Sequence, residues 1–228
     1  MTVPVDGRVR AVVPAYFHPA VDPDAWDRLV RCAPMLRLVV LNVADGPGER
    51  PDPMFVDAVR RLRQAGVVVA GYVDTEYGRR RTDDALADVE RYLEWYTVTG
   101  VFFDQVSSVA EHVGYYAALG EWARGFGARV VAFNHGTHPV EAYAEHADLL
   151  GTFEGPWGAY VDVGVPRWVR ARPAEQFYHL VYAVPPDHLG DAYALLALRH
   201  AGGAYITGLG GPNPWARLPD GLFERLAS

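Results

Sequence analysis

Eight short apolar runs recur along the 228-residue chain, and longer segments with helical spacing separate them. The runs are rich in β-branched and aromatic residues, which is typical of strands. Several are apolar almost throughout, as parallel strands are when helices cover one face and packed side chains fill the other. The strands predicted in this way are residues 9–17, 36–43, 67–74, 100–106, 128–136, 149–155, 177–184 and 204–210.

The segments between the runs carry the signals of helices. Asp22 and Asp52 each precede a proline, and this pair caps a helix and opens its first turn. After the third run, apolar residues recur at helical spacing and form one stripe, which we expect to face the barrel. The residues of this stripe are Ala85, Val89, Tyr92, Leu93 and Tyr96.

The order of these elements predicts the α/β class, because strands that alternate with helices form βα units around a parallel sheet. Eight such units predict a single domain, residues 1–228, folded as one (β/α)8 barrel of the TIM type. An open, doubly wound sheet is the competing architecture. It is disfavoured because no glycine-rich dinucleotide loop follows the first strand.

Composition limits the partners that we expect. The net charge of −7 and the isoelectric point near 5.6 argue against nucleic acid, whose binders concentrate basic side chains on one face. No apolar run approaches the roughly 20 residues that cross a bilayer, so no membrane partner is expected. A single cysteine allows no internal disulfide, and the lack of a recognisable signal peptide predicts a cytoplasmic protein. The oligomeric state stays open.

Polar or phenolic side chains stand at the end of almost every predicted strand. In a barrel of this type the active site lies at the carboxyl ends of the strands. Three of these side chains are carboxylates, which repel one another and lose hydration unless a substrate or hydrogen-bond donors compensate. The residues at the strand ends are Tyr16, Asn42, Tyr72, Asp74, Asp104, Asn134, Glu154, Tyr182 and Thr207.

Carboxylates together with aromatic rings indicate glycoside chemistry. One acid protonates the leaving oxygen, and a second attacks the anomeric carbon or activates water. Flat rings with polar edges suit the apolar faces of sugars. Among the aromatic residues near the strand ends, we expect Tyr16, Tyr72 and Trp157 to contact the sugar because they flank the carboxylates in the sequence.

Other kinds of site have weaker support. His135 and His138 are three residues apart, but no acidic or cysteine ligand stands at metal spacing, so neither a metal nor another cofactor is predicted. Ser107 and Ser108 follow the fourth strand without the motif of a nucleophilic serine. His179 lies in the middle of the seventh strand and is interpreted as a histidine of the core.

Five segments, taken in chain order, resemble the spherulin-4 family. They are "VPAYFHP" (13–19), "GYVDTEYGRR" (71–80), "VFFDQV" (101–106), "FNHGTHP" (133–139) and "TFEGP" (152–156). The resemblance implies a (β/α)8 fold and hydrolysis of amino-sugar exopolysaccharides such as galactosaminogalactan. It also implies that Asp104 and Glu154 match catalytic residues of the family and that Asp74 matches its strand-three aspartate.

Two positions depart from the family pattern. Gln105 stands where the hydrolases often have a glutamate directly after the strand-four aspartate, and His135 replaces the proline of the usual "NPGT". An amide is neither an acid nor a base near neutral pH, so Gln105 is expected only to bind substrate. His135 becomes a candidate proton carrier at the rim of the barrel.

The sequence thus predicts a glycosidase in which Glu154 is the general acid and Asp104 is the nucleophile or stabilises the developing positive charge. The predicted substrate-binding residues are Asp74, Tyr16, Tyr72, Gln105, Asn134, His135, Trp157 and Tyr182. The expected ligand is a carbohydrate or a sugar-bearing small molecule. Two alternatives stay open. One is a carbohydrate binder without catalysis, which Gln105 favours. The other is a cytoplasmic tailoring enzyme (a lyase, isomerase or cyclase) acting on a small molecule.

Overall fold

The computed structural model describes residues 9–226 and contains a closed barrel of eight parallel strands. Each predicted strand is confirmed, with bounds that differ by a few residues. The strands are β1 (Arg10–Ala15), β2 (Leu36–Leu41), β3 (Val69–Asp74), β4 (Gly100–Asp104), β5 (Val130–Asn134), β6 (Leu149–Pro156), β7 (Phe177–Tyr182) and β8 (Gly203–Ile206). Residues 1–8 and 227–228, which the single-domain prediction includes, lie outside the described residues.

Helices connect the strands around the outside of the barrel. They are α1 (Pro23–Arg31), α2 (Pro53–Gln64), α3 (Thr82–Trp95), α4 (Val113–Gly125), α5 (Trp157–Tyr160), α6 (Arg167–Arg170), α7 (Leu189–Leu198) and α8 (Leu222–Leu226). Short 3-10 turns lie at Ala33–Met35, Glu76–Gly78, Ala110–His112, Glu141–Glu145, Ala174–Gln176 and Pro186–His188.

The predicted helix starts are confirmed. Asp22 accepts a hydrogen bond from the backbone N–H of Ala25 at 3.0 Å, and Asp52 accepts one from Met54 at 2.8 Å. These side chains satisfy N–H groups that have no partner within the helix. Proline follows each cap and opens α1 and α2.

The barrel closes where β1 pairs with β8, with Arg10 opposite Gly203 and Ala11 opposite Ala204. This closure rules out the open, doubly wound sheet. It also places the carboxyl ends of all eight strands on one face. The register is irregular in β6 between Gly151 and Phe153, directly before Glu154.

The core lies inside the barrel and between the barrel and its helices. On α3, the predicted stripe is buried at Ala85, Val89 and Tyr92, and it continues into the buried Tyr96 just after the helix. Leu93 is half-buried and packs against the same core. Within residues 9–226, no helix is both long enough and apolar enough to cross a membrane.

Gly71 in β3 allows α3 to pack closely on the sheet. A Cβ atom at this position would lie 2.2 Å from the ring of Tyr92, which is fully buried. We expect Gly71→Ala to lower the free energy of unfolding by about 1–3 kcal/mol, because a well-packed core does not accommodate an added methyl group. Denaturant unfolding followed by circular dichroism measures the change.

The matched control is Gly114→Ala in α4, where an added Cβ atom meets nothing within 4 Å. Alanine is the better helix former, so this variant should be neutral or slightly more stable. Equal losses of stability in the two variants would contradict the close packing of β3 on Tyr92.

Candidate active site

The carboxylates of Asp104 and Glu154 meet at the carboxyl ends of β4 and β6. The amide nitrogen of Asn134, at the end of β5 between them, donates to Asp104 Oδ1 at 2.7 Å and to Glu154 Oε2 at 2.5 Å. Each hydrogen of this amide group therefore serves one acid. The structure brings these three predicted residues into one cluster.

A residue in the interior of the barrel sets the orientation of the Asn134 side chain. Tyr178, fully buried in β7, donates its hydroxyl hydrogen to Asn134 Oδ1 at 3.2 Å. Since the amide oxygen accepts this bond, the nitrogen faces the two acids. Gly151 leaves room for the pair, because a Cβ atom there would lie 2.2 Å from Asn134 Oδ1 and 2.7 Å from the tyrosine hydroxyl.

Tyr72 approaches Asp104 from β3. Its hydroxyl donates to Asp104 Oδ2 at 2.9 Å, so both oxygens of this carboxylate accept a hydrogen bond. The ring of Tyr16 stands edge-on to Tyr72 at 5.5 Å between centroids. Burial, together with the charge of Asp104, raises the pKa of Tyr16, so its hydroxyl stays protonated.

Asp74 joins the cluster through Gln105. The Gln105 amide donates to Asp74 Oδ2 at 3.3 Å, and the backbone N–H of Glu76 donates to Asp74 Oδ1 at 2.8 Å. Asp74 lies opposite Asp104 in the register of β3 and β4. The carboxylate of Asp74 therefore lies next to the acid pair and accepts hydrogen bonds from donors other than Asn134.

The electrostatic environment differs between the two acids. Burial raises the pKa of Glu154 to about 7, the charge of Asp104 adds to the rise, and the bond from Asn134 opposes it. Burial also raises the pKa of Asp104, but Asn134, the Gln105 backbone and Tyr72 all donate hydrogen bonds to it. Hydrogen bonds to a carboxylate favour its ionised form. Asp104 accepts more hydrogen bonds than Glu154, so a proton shared by the pair resides on Glu154.

His135 lies at the same face of the barrel, but its environment disfavours the proton-carrier role. Burial lowers the pKa of this histidine to about 3, so the ring is neutral near pH 7. Its Nδ1 lies 3.1 Å from the carbonyl oxygen of Ser107, to which it donates. This bond joins the loop after β5 to the loop after β4, and the low pKa of His135 counts against the predicted proton-carrier role.

A cavity of about 520 Å³ opens over the acid pair. It contains six of the predicted site residues and, in addition, the exposed ring of Tyr77. The lining residues are Tyr77, Asp104, Gln105, Asn134, His135, Gly136, Thr137, Glu154 and Tyr182. Its volume is in the range of about 300–1,000 Å³ that small-molecule sites occupy. We call it the catalytic cavity.

Asp74 and the three aromatic residues that we expected to contact the sugar do not line the catalytic cavity. Tyr16 and Tyr72 line a neighbouring cavity of about 400 Å³. Trp157 begins α5, is half-buried and stacks on His188 at 5.5 Å, outside the lining of both cavities.

Metal coordination has no support in residues 9–226, where no three histidine, cysteine or acidic side chains gather at coordinating distance. His179 is fully buried and contacts the hydroxyl groups of Thr152 at 3.1 Å and Tyr160 at 3.0 Å. Its interpretation as a core histidine is confirmed.

Sequence reasoning missed Tyr178, which orients Asn134. This tyrosine lies within the apolar run of β7, where a ring reads as core. A usable signal was Gly151, a glycine inside a predicted strand, because such a position often marks the close approach of another group.

We expect stability to depend on pH through Glu154. Its ordinary pKa is 4.5 and its pKa in the folded protein is about 7, so between these values the folded protein holds a proton that the unfolded chain has released. The free energy of unfolding therefore falls as pH rises across this window, by at most about 1.4 kcal/mol per pH unit. Urea unfolding of wild type and Glu154→Gln from pH 4 to pH 8 measures the difference.

In Glu154→Gln this contribution to the fall should be absent. The exposed Glu121 on α4 provides the control, and Glu121→Gln should keep the wild-type slope. Parallel curves for wild type and Glu154→Gln would show that Glu154 titrates as an ordinary carboxyl group.

Comparison with known proteins shows the family of the chain. The family described as spherulation-specific family 4 matches residues 10–228. Spherulin-4 of Physarum polycephalum is 28% identical over 171 residues, which are 73% of this chain and 50% of that protein. The chain thus spans about half the length of this curated relative.

Among solved structures, Aspergillus clavatus Sph3 in complex with GalNAc superposes with a TM-score of 0.84 and 25% identity, over 96% of both chains. α-Galactosidase I of Mortierella vinacea superposes with a TM-score of 0.63 over 98% of this chain and 71% of its own. At 8% identity, that match shows the barrel fold alone. The family match over nearly the whole chain, on a barrel with paired acids at its mouth, shows that this protein belongs to spherulation-specific family 4.

Proposed function

We propose that this protein is a glycosidase that cleaves an amino-sugar glycan at the catalytic cavity. The observation that carries the proposal is the hydrogen-bonding of two half-buried carboxylates, Asp104 and Glu154, to one amide nitrogen. Two acids with different environments in one cavity are what glycoside hydrolysis requires. Family membership and a sugar-bound relative support a carbohydrate-active barrel.

In this proposal Glu154 protonates the glycosidic oxygen. Its raised pKa of about 7 keeps the proton in place near neutral pH, and a general acid works best when its pKa lies near the working pH. As the bond between the anomeric carbon and the leaving oxygen breaks, positive charge develops on the sugar. Asp104 lies across the Asn134 amide and offers its ionised carboxylate to that charge.

The spacing of the acids supports retention of configuration. Asp104 Oδ1 and Glu154 Oε2 lie 2.7 and 2.5 Å from the same nitrogen, so they are nearer each other than the about 6.5–9.5 Å of an inverting pair. Asp104 then attacks the anomeric carbon and forms a covalent intermediate. In the second step Glu154 takes a proton from water, whose oxygen displaces Asp104.

Gln105 and Asp74 bind substrate in this scheme. The Gln105 side chain lines the catalytic cavity and contacts Asp74 at 3.3 Å, a long bond that a sugar hydroxyl or an N-acyl group can replace. An amide donates and accepts hydrogen bonds without changing its charge. Gln105 therefore positions the sugar and takes no part in proton transfer.

The proposed substrate class is an amino sugar of the galactosamine type. Support comes from the solved relative Sph3, which was crystallised with GalNAc and covers 96% of this chain. The rings of Tyr77 and Tyr182 line the catalytic cavity and offer faces to the C–H surface of a sugar.

The mutational test compares Asp104→Asn and Glu154→Gln with Gln105→Ala. Loss of either acid should lower kcat/KM by about 10²- to 10⁴-fold, the usual contribution of an acid or base. Loss of the amide removes hydrogen bonds and should cost about tenfold or less. The measurement is the release of reducing ends from N-acetylated and de-N-acetylated galactosamine oligomers.

Activity that survives both acid substitutions would overturn the assignment of roles. Retained cooperative unfolding in each variant separates a catalytic loss from a folding loss. A retaining mechanism further predicts that the first product seen by NMR has the anomeric configuration of the substrate, and an inverted first product would contradict the role of Asp104 as nucleophile.

A carbohydrate binder without catalysis is the second candidate, and Gln105 is the observation that favours it. The hydrolases that this chain resembles often have a glutamate at this position. In that case the wild-type protein binds galactosamine oligomers in calorimetry and releases no reducing ends. Turnover that depends on Glu154 excludes this candidate.

A further inference from the structure

The 400 Å³ cavity next to the catalytic cavity has the composition of a sugar subsite. Three aromatic residues line it, together with the amides of Asn42 and Asn213 and the carboxylate of Asp45. The aromatic residues are Tyr16, Tyr72 and Trp215. Rings beside a small number of polar groups are typical of carbohydrate-binding and other small-molecule sites.

Two contacts connect this cavity to the catalytic cavity. Tyr72 lines the second cavity and donates to Asp104, which lines the first, at 2.9 Å. Trp215 lines the second cavity and stands edge-on to Tyr182 of the first, at 5.9 Å between centroids. The cavities are thus neighbours across the mouth of the barrel, with Asp104 near their junction.

The loop after β2 brings a negative charge to the second cavity. The backbone N–H groups of Val43 and Ala44 donate to the carbonyl oxygen of Gly46, and Asn42 Oδ1 accepts from the Gly46 N–H. This tight turn holds Asp45, with a φ of 51°, at its tip. Asp45 and Tyr72 both line the second cavity, so the negative charge lies beside the same space as the phenol.

Among the residues that the structure describes, none pairs with the charge of Asp45. Most exposed aspartates on the helices pair with arginine, as Asp57 does with Arg60 in α2. Within residues 9–226, no ion pair or hydrogen bond engages the side chain of Asp45, and no arginine lines either cavity. A cation bound in the second cavity therefore meets a free carboxylate and no repelling charge.

We propose that the second cavity binds the sugar unit next to the one in the catalytic cavity, and that Asp45 favours a unit with a free, protonated amino group there. This inference rests on the proposed function, because it takes the ligand to be a glycan. The protein then binds at least two adjacent sugar units. Aromatic stacking supplies most of the affinity, and the charge of Asp45 supplies the selectivity.

The test of the subsite is calorimetric, with Glu154→Gln as the parent so that oligomers stay intact. Galactosamine monomer, dimer and trimer are titrated into the parent and into the same variant carrying Ala44→Trp. Ala44 is exposed and lines the second cavity, so tryptophan fills the space without entering the core. The dimer should bind the parent at least tenfold more tightly than the monomer, and Ala44→Trp should remove this gain and leave monomer affinity unchanged.

The test of charge selection adds Asp45→Asn to the same parent. Exposed ion pairs are weak, so the affinity for galactosamine dimer should fall about two- to fivefold at low salt. The affinity for N-acetylgalactosamine dimer should stay unchanged, and the difference should shrink at 0.5 M NaCl because salt screens exposed charges. Glu121→Gln on α4 is the matched control and should leave all affinities at the parent value.

The possible negative results distinguish the subsite, the charge selection and the glycosidase proposal from one another. A dimer that binds no better than a monomer overturns the subsite even if wild type hydrolyses longer oligomers. A chain-length gain that is equal for both sugars and insensitive to Asp45→Asn overturns the charge selection. A chain-length gain without any turnover by wild type supports the subsite and counts against the glycosidase proposal alone.

Discussion

A closed barrel of parallel strands has no open edge, and its strand ends must share one crowded, partly dry face. Acids placed there lose hydration and repel each other. The amide of Asn134 compensates for the lost hydration and reduces the repulsion, because its NH₂ group donates one hydrogen bond to Asp104 and one to Glu154. The buried hydroxyl of Tyr178 fixes its orientation. The acid pair thus depends on a residue of the strand between them and on a ring inside the barrel.

The asymmetry of the pair follows from the neighbours of each acid. The side chain of Asp104 accepts hydrogen bonds from Tyr72 and from Asn134. The side chain of Glu154 accepts one from Asn134. An acid with fewer donors in a buried site keeps its proton more readily. The carboxylates at the ends of β4 and β6 thereby differ in how readily they hold a proton, and the difference comes from their surroundings.

The sequence predicted all eight strands and the acid pair, because parallel strands are apolar runs and their polar ends stand out. Tyr178 was not predicted as a site residue, because a tyrosine within an apolar run is interpreted as part of the core. Trp157 follows Glu154 closely in the sequence, but its ring stacks on His188 and lines neither cavity. Asp45 escaped notice because it lies in a loop, and only the closed barrel brings that loop beside Tyr72.

The departure at Gln105 affects the site less than its position suggests. Gln105 has a φ of 50°, and its carbonyl oxygen accepts bonds from the Tyr77 N–H at 2.8 Å and from Thr75 Oγ1 at 2.9 Å. These bonds hold the backbone after β4 whatever the side chain. Asp104 therefore keeps its place beside Asn134 when an amide replaces the acid that follows it. In the proposed mechanism the two carboxylates are those of Asp104 and Glu154, and the Asn134 amide that joins them does not contact the side chain of residue 105.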